Sequence, residues 1–430
     1  MRILLANQWY PPESGWGGVA MWNYAMANAL VAQGHVVTVV TAQTNPQVPR
    51  LEERDGITIH RLFVRDMYRW QRIPLVGRYA RELFQLEYAR RVAQTLRALY
   101  RAQPFDVVEF ADVNAEGFFY ARKPDAAVVV RCHTPTFVLK KYYLPAEMPY
   151  DTRVISACEK NMIRRAHALT APSHDMARVI ADTVNIPLEK ITVIPNALPA
   201  EFQISDFRFQ ISDGNSHSRN LQSFTFVQDK SLISSLLILH VGRLERVKGV
   251  RVLAEVIPRV VKQYLNVRFV FIGDDLRTVN GTSQRAELET FLEQAGARER
   301  VEFQAGIDHA ALLEWYARAD ICVVPSLNYE SFSYTCAQAM AAGKPVIASR
   351  IGGIPETIQD GVTGLLFEPG DVQGLVESIL QLAEHPARRM EMGRAGRARA
   401  LQEFDALRVA AQNLRVYERA RQKGGIPKIV

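Results

Sequence analysis

An α/β fold built from two Rossmann-like domains that face each other across a cleft is predicted by three observations. Short apolar runs alternate with helical stretches through the first half of the chain, and the same alternation restarts at Leu236–Gly242. Alternation of this kind implies parallel sheets with right-handed crossovers. With 430 residues the chain is also too long for one ordinary core.

In order, the first-half strands are read at Arg2–Ala6, Val36–Thr41, Ile57–Val64, Asp106–Phe110, Ala127–His133, Ala168–Pro172 and Ile191–Ile194. Met21–Ala32 and Leu83–Tyr100 read as helices between them. The second half continues with strands at Val267–Gly273, Val301–Gln304, Ile321–Pro325, Pro345–Ser349 and Leu365–Phe367. Between the halves, Phe202-Gln203-Ile204-Ser205-Asp206 recurs at Phe209–Asp213, followed by a polar stretch. Two copies are too few for a solenoid or a coiled coil, so residues 200–235 read as an inserted, mobile linker. Leu375 to Gln422 reads as mostly helical and arginine-rich. The domain reading is therefore 1–199, the 200–235 insert, 236–403, and 404–430.

Apolar content of 48% and charged content of 23% are globular values. No apolar run reaches the roughly 18 residues a membrane helix needs, and the opening Met1–Ala6 stretch is too short for a signal peptide. The expected location is cytoplasmic. The four cysteines are scattered without C-x-x-C spacing, which fits buried reduced thiols and argues against zinc. A net charge of +7 suits anionic partners. Much of it lies in residues 65–101, where arginines interleave with Tyr79, Leu83, Leu86, Tyr88 and Leu96. The plain reading is an amphipathic helix with a solvated basic face. The alternative is peripheral contact with an anionic membrane or an anionic acceptor. No recognition motif for nucleic acid accompanies the charge, so none is expected.

Two segments carry the chemistry. In His240-Val241-Gly242-Arg243-Leu244-Glu245-Arg246-Val247-Lys248-Gly249, a strand ends at Gly242 and a helix starts near Lys248. Arg243 and Lys248 bracket the turn, and a diphosphate needs such cations together with helix N-terminal amides. In Tyr329-Glu330-Ser331-Phe332-Ser333-Tyr334-Thr335-Cys336-Ala337-Gln338, a loop leaves a strand and enters a helix. Glu330 and Gln338 then lie about two helical turns apart, spaced to grip two parts of an elongated ligand such as a sugar and a ribose.

The N-terminal loop carries Gly17 and Gly18 at a helix start, where backbone can approach a ligand. Its loose dinucleotide fingerprint lacks the acidic residue that follows in nicotinamide folds, so no such cofactor is expected. His133 stands at a strand end pointing to the crevice, Glu109 is a weaker candidate, and Asn196 reads as a turn cap. Asp274 and Asp275 are adjacent and point opposite ways, so no metal is expected. No phosphate loop of the ATPase type is present.

Taken together, these motifs resemble the retaining glycosyltransferases of the GT-B fold, family four. Glu330 and Gln338 match its E-x7-E pattern with glutamine at the second position. Gly242, Arg243, Lys248 and Gly249 match G-R-x-x-x-x-K-G, and Gly352–Glu356 and Asp360–Leu366 are similarly typical. The resemblance covers nearly the whole chain apart from the 200–235 insert. It implies transfer of a sugar from a nucleotide-diphosphate sugar to a hydroxyl acceptor, lipid-linked or otherwise, with retention, no metal and no cofactor. It also implies a final helix, from Phe404 to Arg421, that crosses back to the first domain. Arg243 and Lys248 would hold the diphosphate and Glu330 a sugar hydroxyl. The amides of Ser331, Phe332, Ser333 and Tyr334 would face sugar and phosphates, and position 338 the ribose. Gly17 and Gly18 would sit by the phosphates and His133 would line the sugar pocket. The alternatives are a phosphorylase or epimerase on the same fold and a non-catalytic nucleotide-sugar binder.

Overall fold

The computed structural model describes residues 1–63, 77–144, 147, 151–202, 235–278 and 281–425. The first sheet has eight strands: β1 Arg2–Ala6, β2 Val36–Ala42, β3 Leu51–Arg54, β4 Ile57–Leu62, β5 Val107–Ala111, β6 Ala127–Arg131, β7 Ala168–Ala171 and β8 Ile191–Val193. Their order is β3-β4-β2-β1-β5-β6-β7-β8, parallel throughout except where β3 meets β4. The second sheet has six, β9 Leu236–Val241, β10 Val267–Ile272, β11 Val301–Gln304, β12 Ile321–Val324, β13 Val346–Ser349 and β14 Gly364–Phe367. It is parallel throughout, in the order β11-β10-β9-β12-β13-β14.

Both sheets reverse their winding at an internal strand. In the second the reversal falls between β9 and β12, in the first between β1 and β5. Loops leaving neighbouring strands there go to opposite faces and leave a crevice at the strand C-termini. The turn after β9 and the Glu330 loop after β12 therefore meet at one place.

The helices are α1 Gly18–Ala32, α2 Ala80–Ala102, α3 Thr136–Leu139, α4 Arg153–Arg165, α5 His174–Val184, α6 Val250–Gln263, α7 Gln284–Gln294, α8 His309–Arg318, α9 Tyr334–Ala341, α10 Ile354–Thr357, α11 Val372–Glu384, α12 Pro386–Glu403 and α13 Ala406–Lys423. Several begin at a side-chain cap that accepts from an orphan amide: Ser173, Ser283, Asp308, Ser333, Asp371 and Asp405.

The final helix crosses back, as the resemblance implied. Val409, Ala410, Val416 and Tyr417 of α13 are buried in one cluster with Trp22, Ala25, Met26 and Ala29 of α1. A second shared cluster joins Met21, Leu198 and Phe202 to Phe332, Tyr316 and Phe404. Each large side chain buried this way contributes about 1.5–3 kcal/mol before ordering costs.

Strand β3 was not anticipated. Its sequence, Leu-Glu-Glu-Arg, has no apolar alternation, and it is an edge strand held by pairing with β4 alone. Of the 200–235 insert, Ala200–Phe202 forms one helical turn with Phe202 fully buried. The stretch 203–234, with most of the repeat, lies outside the described residues. So does the start of the basic segment, residues 65–76. In α2, Tyr88, Val92 and Leu96 are spent on the first core while Arg90, Arg91 and Arg101 are exposed. Among the described residues no helix is long and apolar enough to cross a membrane.

Candidate functional site

The turn after β9 is short because α6 starts hard against the end of β12. At Gly249 φ is +72°, and a Cβ there would lie 1.8 Å from the Pro325 carbonyl oxygen, so only glycine fits. This close approach brings Lys248 to the β12 loop. Its Nζ lies 2.6 Å from Glu330 Oε1, which also accepts from Ser326 Oγ at 2.9 Å. Burial lowers the Lys248 pKa, but the Glu330 carboxylate outweighs it, and the ammonium is held above its ordinary value. Behind the Glu330 loop, the Gly353 amide donates to the Glu330 carbonyl at 2.7 Å. A Cβ at Gly353 would lie 2.2 Å from the Ser331 carbonyl oxygen.

Lys248 and Glu330 border a cavity of about 250 Å³ between the two domains. Gly242, Ser333, Tyr334, Thr335 and Gln338 line it from the second domain, Trp16, Gly18 and Met21 from the first. Two helix N-termini meet here. Gly18 opens α1 and Tyr334 opens α9, and a Cβ at Gly18 would touch the Tyr334 ring at 3.6 Å. Both ends present unsatisfied amides and a positive dipole. Gln338 is buried in the wall. Its Oε1 accepts from the Tyr316 hydroxyl at 3.1 Å, and its Nε2 lies 3.4 Å from Met21 Sδ.

Of the residues expected at the site, Gly18, Gly242, Lys248, Glu330, Phe332, Ser333, Tyr334 and Gln338 surround this cavity. Four others lie beside it. Gly17 is the N-cap of α1. Arg243 turns outward, half exposed, onto Glu245 at 2.7 Å. Ser331 faces the first domain, where its Oγ accepts from Thr134 Oγ1 and its carbonyl from Ser173 Oγ. His133 sits two residues past β6, edge-on to Trp22, and its buried Nε2 has no partner among the described residues. Burial, then the neighbouring Arg131 charge, hold its pKa well below the usual range, so the ring is neutral.

The weaker candidate Glu109 and the expected turn cap Asn196 are both structural. Glu109 lies inside β5, accepting from Trp22 Nε1 and the Tyr417 hydroxyl, both at 2.8 Å. Asn196 caps no turn through its side chain: its Oδ1 accepts from the buried Arg131 guanidinium at 2.6 Å. That guanidinium also covers the Trp22 ring at 4.0 Å. Sequence reading missed His240, Trp16, Met21, Ser326 and His309 as cavity residues. The signal for His240 was available, since it stands one residue before the end of β9 at the switch point. Trp16 and His309 meet only through the packing of the two domains.

Beside His133 lies a group of buried acids. Asp112 Oδ1 accepts from the His133 amide at 3.0 Å. Glu159 Oε1 accepts from the Asn114 and Thr136 amides and the Thr136 hydroxyl. Glu116 Oε1 accepts from the Gln8 amide. Burial pushes Glu159 up to about 7 and Glu116 up to about 8. Asn114 and Ala115 between them take left-handed φ values of 63° and 54°. Among the described residues no three His, Cys, Asp or Glu side chains are grouped as a metal ion would require.

The domains are held together beside the cavity by polar contacts. Glu356 of α10 accepts from the His174 and Asp175 amides at 2.7 and 2.8 Å, capping α5 of the other domain. Arg246 forks onto Glu147 at 2.8 and 2.7 Å.

Comparison with known proteins agrees with this architecture. Residues 16–202 match the family described as Glycosyltransferase Family 4, and residues 225–399 match Glycosyl transferases group 1. The chain is 27% identical to a glycogen synthase of Mycobacterium tuberculosis, over 98% of this chain and 95% of that one. It is 27% identical to a D-inositol 3-phosphate glycosyltransferase of Xylanimonas cellulosilytica, over 95% and 93%. Among solved structures, sucrose-phosphate synthase from Thermosynechococcus elongatus superposes with a TM-score of 0.75 at 22% identity, covering 97% of this chain and 98% of the other. HepE from Anabaena, in complex with UDP and glucose, superposes at 0.70 with 20% identity, covering 97% and 99%. The chain belongs to the family-four glycosyltransferases and is an enzyme of glycosyl transfer built on the GT-B fold.

Proposed function

We propose that this enzyme moves a sugar from a nucleoside-diphosphate sugar to a hydroxyl acceptor, retaining the anomeric configuration and using protein charge in place of a metal. The observation that carries this is the Lys248–Glu330 pair at the mouth of a cavity onto which two helix N-termini open. A diphosphate bearing two or more negative charges suits one half-buried ammonium and two positive helix ends. HepE with bound UDP-glucose, on the same fold, supports a donor of this kind.

In this reading Lys248 holds the leaving phosphate and Glu330 a donor hydroxyl. Glu330 also keeps the ammonium charged and aimed. The amides at the starts of α1 and α9, from Gly18 and from Ser333 and Tyr334, face the phosphates. Arg243 rotates from Glu245 to the diphosphate when the donor binds. His133, neutral and with a free ring nitrogen, borders the sugar. Gln338 meets the ribose with an amide whose oxygen Tyr316 already occupies, leaving its N–H group to donate.

The acceptor hydroxyl attacks from the face the diphosphate leaves, through an oxocarbenium-like transition state. The leaving phosphate oxygen takes the acceptor's proton. Catalysis is then mainly stabilisation of developing phosphate charge. The test is a thermal-shift panel with UDP, GDP, ADP, CDP and TDP without metal. At a hundred times its dissociation constant, the correct nucleotide adds about 2.7 kcal/mol. No shift with any of them would sink the donor assignment.

A further inference from the structure

The cavity lining includes a contact that the proposed chemistry does not use. Trp16, just before the N-cap of α1, stacks flat on His309, the first residue of α8. Their ring centroids are 4.3 Å apart and their planes 16° from parallel. Both rings line the cavity. Behind Trp16, Tyr24 stands edge-on at 5.0 Å. Behind His309, Phe202 stands edge-on at 4.8 Å and reaches Tyr316, the partner of Gln338. His309 Nε2 is buried with no partner among the described residues.

The lining thus holds two kinds of surface. Lys248, Glu330 and Ser326 form an ionic cluster, whereas Trp16 and His309 form a stacked pair, with Leu312 also in the lining. A nucleoside diphosphate carries the same two kinds of group, phosphates and a flat base. No planar ring can enter while Trp16 and His309 touch. A third ring between them would need the outer two roughly 7 Å apart, twice a carbon contact distance.

The two partners are not equally fixed. His309 belongs to a helix whose cap, Asp308, accepts from the Ala311 amide, and Phe202 backs it. Trp16 belongs to a loop with Gly15 on one side and Gly17 and Gly18 on the other. Gly15 has φ of +75°, and a Cβ at Gly15 or Gly17 would meet nothing within 4 Å. The indole can therefore swing away with little backbone resistance.

We propose that the donor's base takes the place of Trp16 on the His309 ring, so that nucleotide binding displaces the indole and releases this contact between the domains. The inference rests on the donor reading of the cavity. It makes His309 a recognition residue for the base and Trp16 a competitor for the same surface. Stacking tolerates any base, because every base has a π-face.

A wall and a competitor give opposite signs on mutation. Titrations of the full-length protein with UDP, GDP, ADP, CDP, TDP and base-free pyrophosphate would be followed by calorimetry and tryptophan emission. The nucleotide that binds is expected to change the emission of the wild type but not of Trp16→Phe, and pyrophosphate is expected to change neither. A stacked base is worth about 1–3 kcal/mol, or roughly 5- to 150-fold in affinity. His309→Ala should therefore bind that nucleotide at least about fivefold more weakly with pyrophosphate affinity unchanged. Trp16→Ala should bind it more tightly. Nucleotide binding with unaltered Trp16 emission, or weaker binding by Trp16→Ala, would overturn the proposal while leaving the donor site standing. Calorimetric silence with every nucleotide would remove the donor reading and this inference with it. If His309→Ala fails to fold, the Trp16 arms decide alone.

Discussion

Lys248 and Glu330 clasp each other across the switch point of the second sheet, Nζ to Oε1 at 2.6 Å, one from the β9 turn and one from the β12 loop. The pair does two things at once. It joins the two loops that frame the cavity, and it raises the pKa of an ammonium that burial alone would lower.

Lys248→Ala is expected to reduce turnover at least about a hundredfold, since it removes charge aimed at the leaving group. The structural share is separable. The two side chains are 24% and 15% exposed, so solvent screens the pair in part. A coupling of about 1–3 kcal/mol is expected from urea unfolding of Lys248→Met, Glu330→Gln and the double variant. Additive losses would show that the clasp contributes nothing to stability and acts only on substrate.

Gln338→Glu should trade stability for affinity. The new carboxylate would be buried with only the Tyr316 hydroxyl and Met21 sulfur beside it. The free protein is then expected to lose about 1–3 kcal/mol. A carboxylate accepts charge-assisted bonds from a ribose diol, so nucleotide affinity should rise several-fold. The reading is a lower Tm without nucleotide and a larger nucleotide-induced shift than wild type. An equal shift in both proteins would separate position 338 from the ribose.

The order of strands and helices was legible because parallel strands buried on both faces read as apolar runs. Strand β3 was not, because Leu51–Arg54 is polar and owes its conformation to pairing with β4. At the site, Lys248 and Glu330 were legible from spacing, since each follows a strand at the switch point. Arg243 shows the limit of that method. Its position in the turn is as read, but its side chain reaches Glu245 and Tyr143 instead of the cavity. Glu109, the weaker candidate, could be placed only by the fold, because a strand residue's face depends on what covers it, here Tyr417 at a separation of 308 positions. Trp16 and His309 carry no mutual signal in the sequence.

That Glu109–Tyr417 contact fastens the returning helix. Glu109 is 3% exposed, and burial holds its pKa above the ordinary range while Trp22 and Tyr417 donate to it. Tyr417→Phe removes one of the two donors and keeps the ring packing. A loss of about 1–3 kcal/mol is expected, read as a fall in urea midpoint at unchanged slope. No change would mean that the hydroxyl's partner is replaceable by water.

The buried acids near His133 supply a share of stability that falls between pH 5 and pH 8. Burial pushes Glu159 up to about 7 and Glu116 up to about 8, whereas an unfolded glutamate titrates near about 4.3. Asp112 is raised as well, by burial first and by Glu159 second. In each, one oxygen is satisfied and the second has no partner among the described residues. Between the unfolded and folded pKa values the folded chain binds more protons than the unfolded one. The contribution is thus complete below the unfolded pKa and is lost as pH rises through about 7 to 8. Glu52 and Glu147, held low mainly by hydrogen bonds from Arg54 and Arg246, act in the opposite sense but only below their unfolded pKa, outside this window. His133 and His240, held low by burial, act in the opposite sense inside it, so the acids are read by difference against a variant that keeps both histidines. In urea unfolding at pH 5 and pH 8, the change in wild type should lie on the order of a few kcal/mol further toward loss than in a variant without the two carboxyls. Glu116→Gln combined with Glu159→Gln cannot titrate and should lose much less. Equal losses in both proteins would mean that these carboxyls stay ionised in the fold, solvated by internal water.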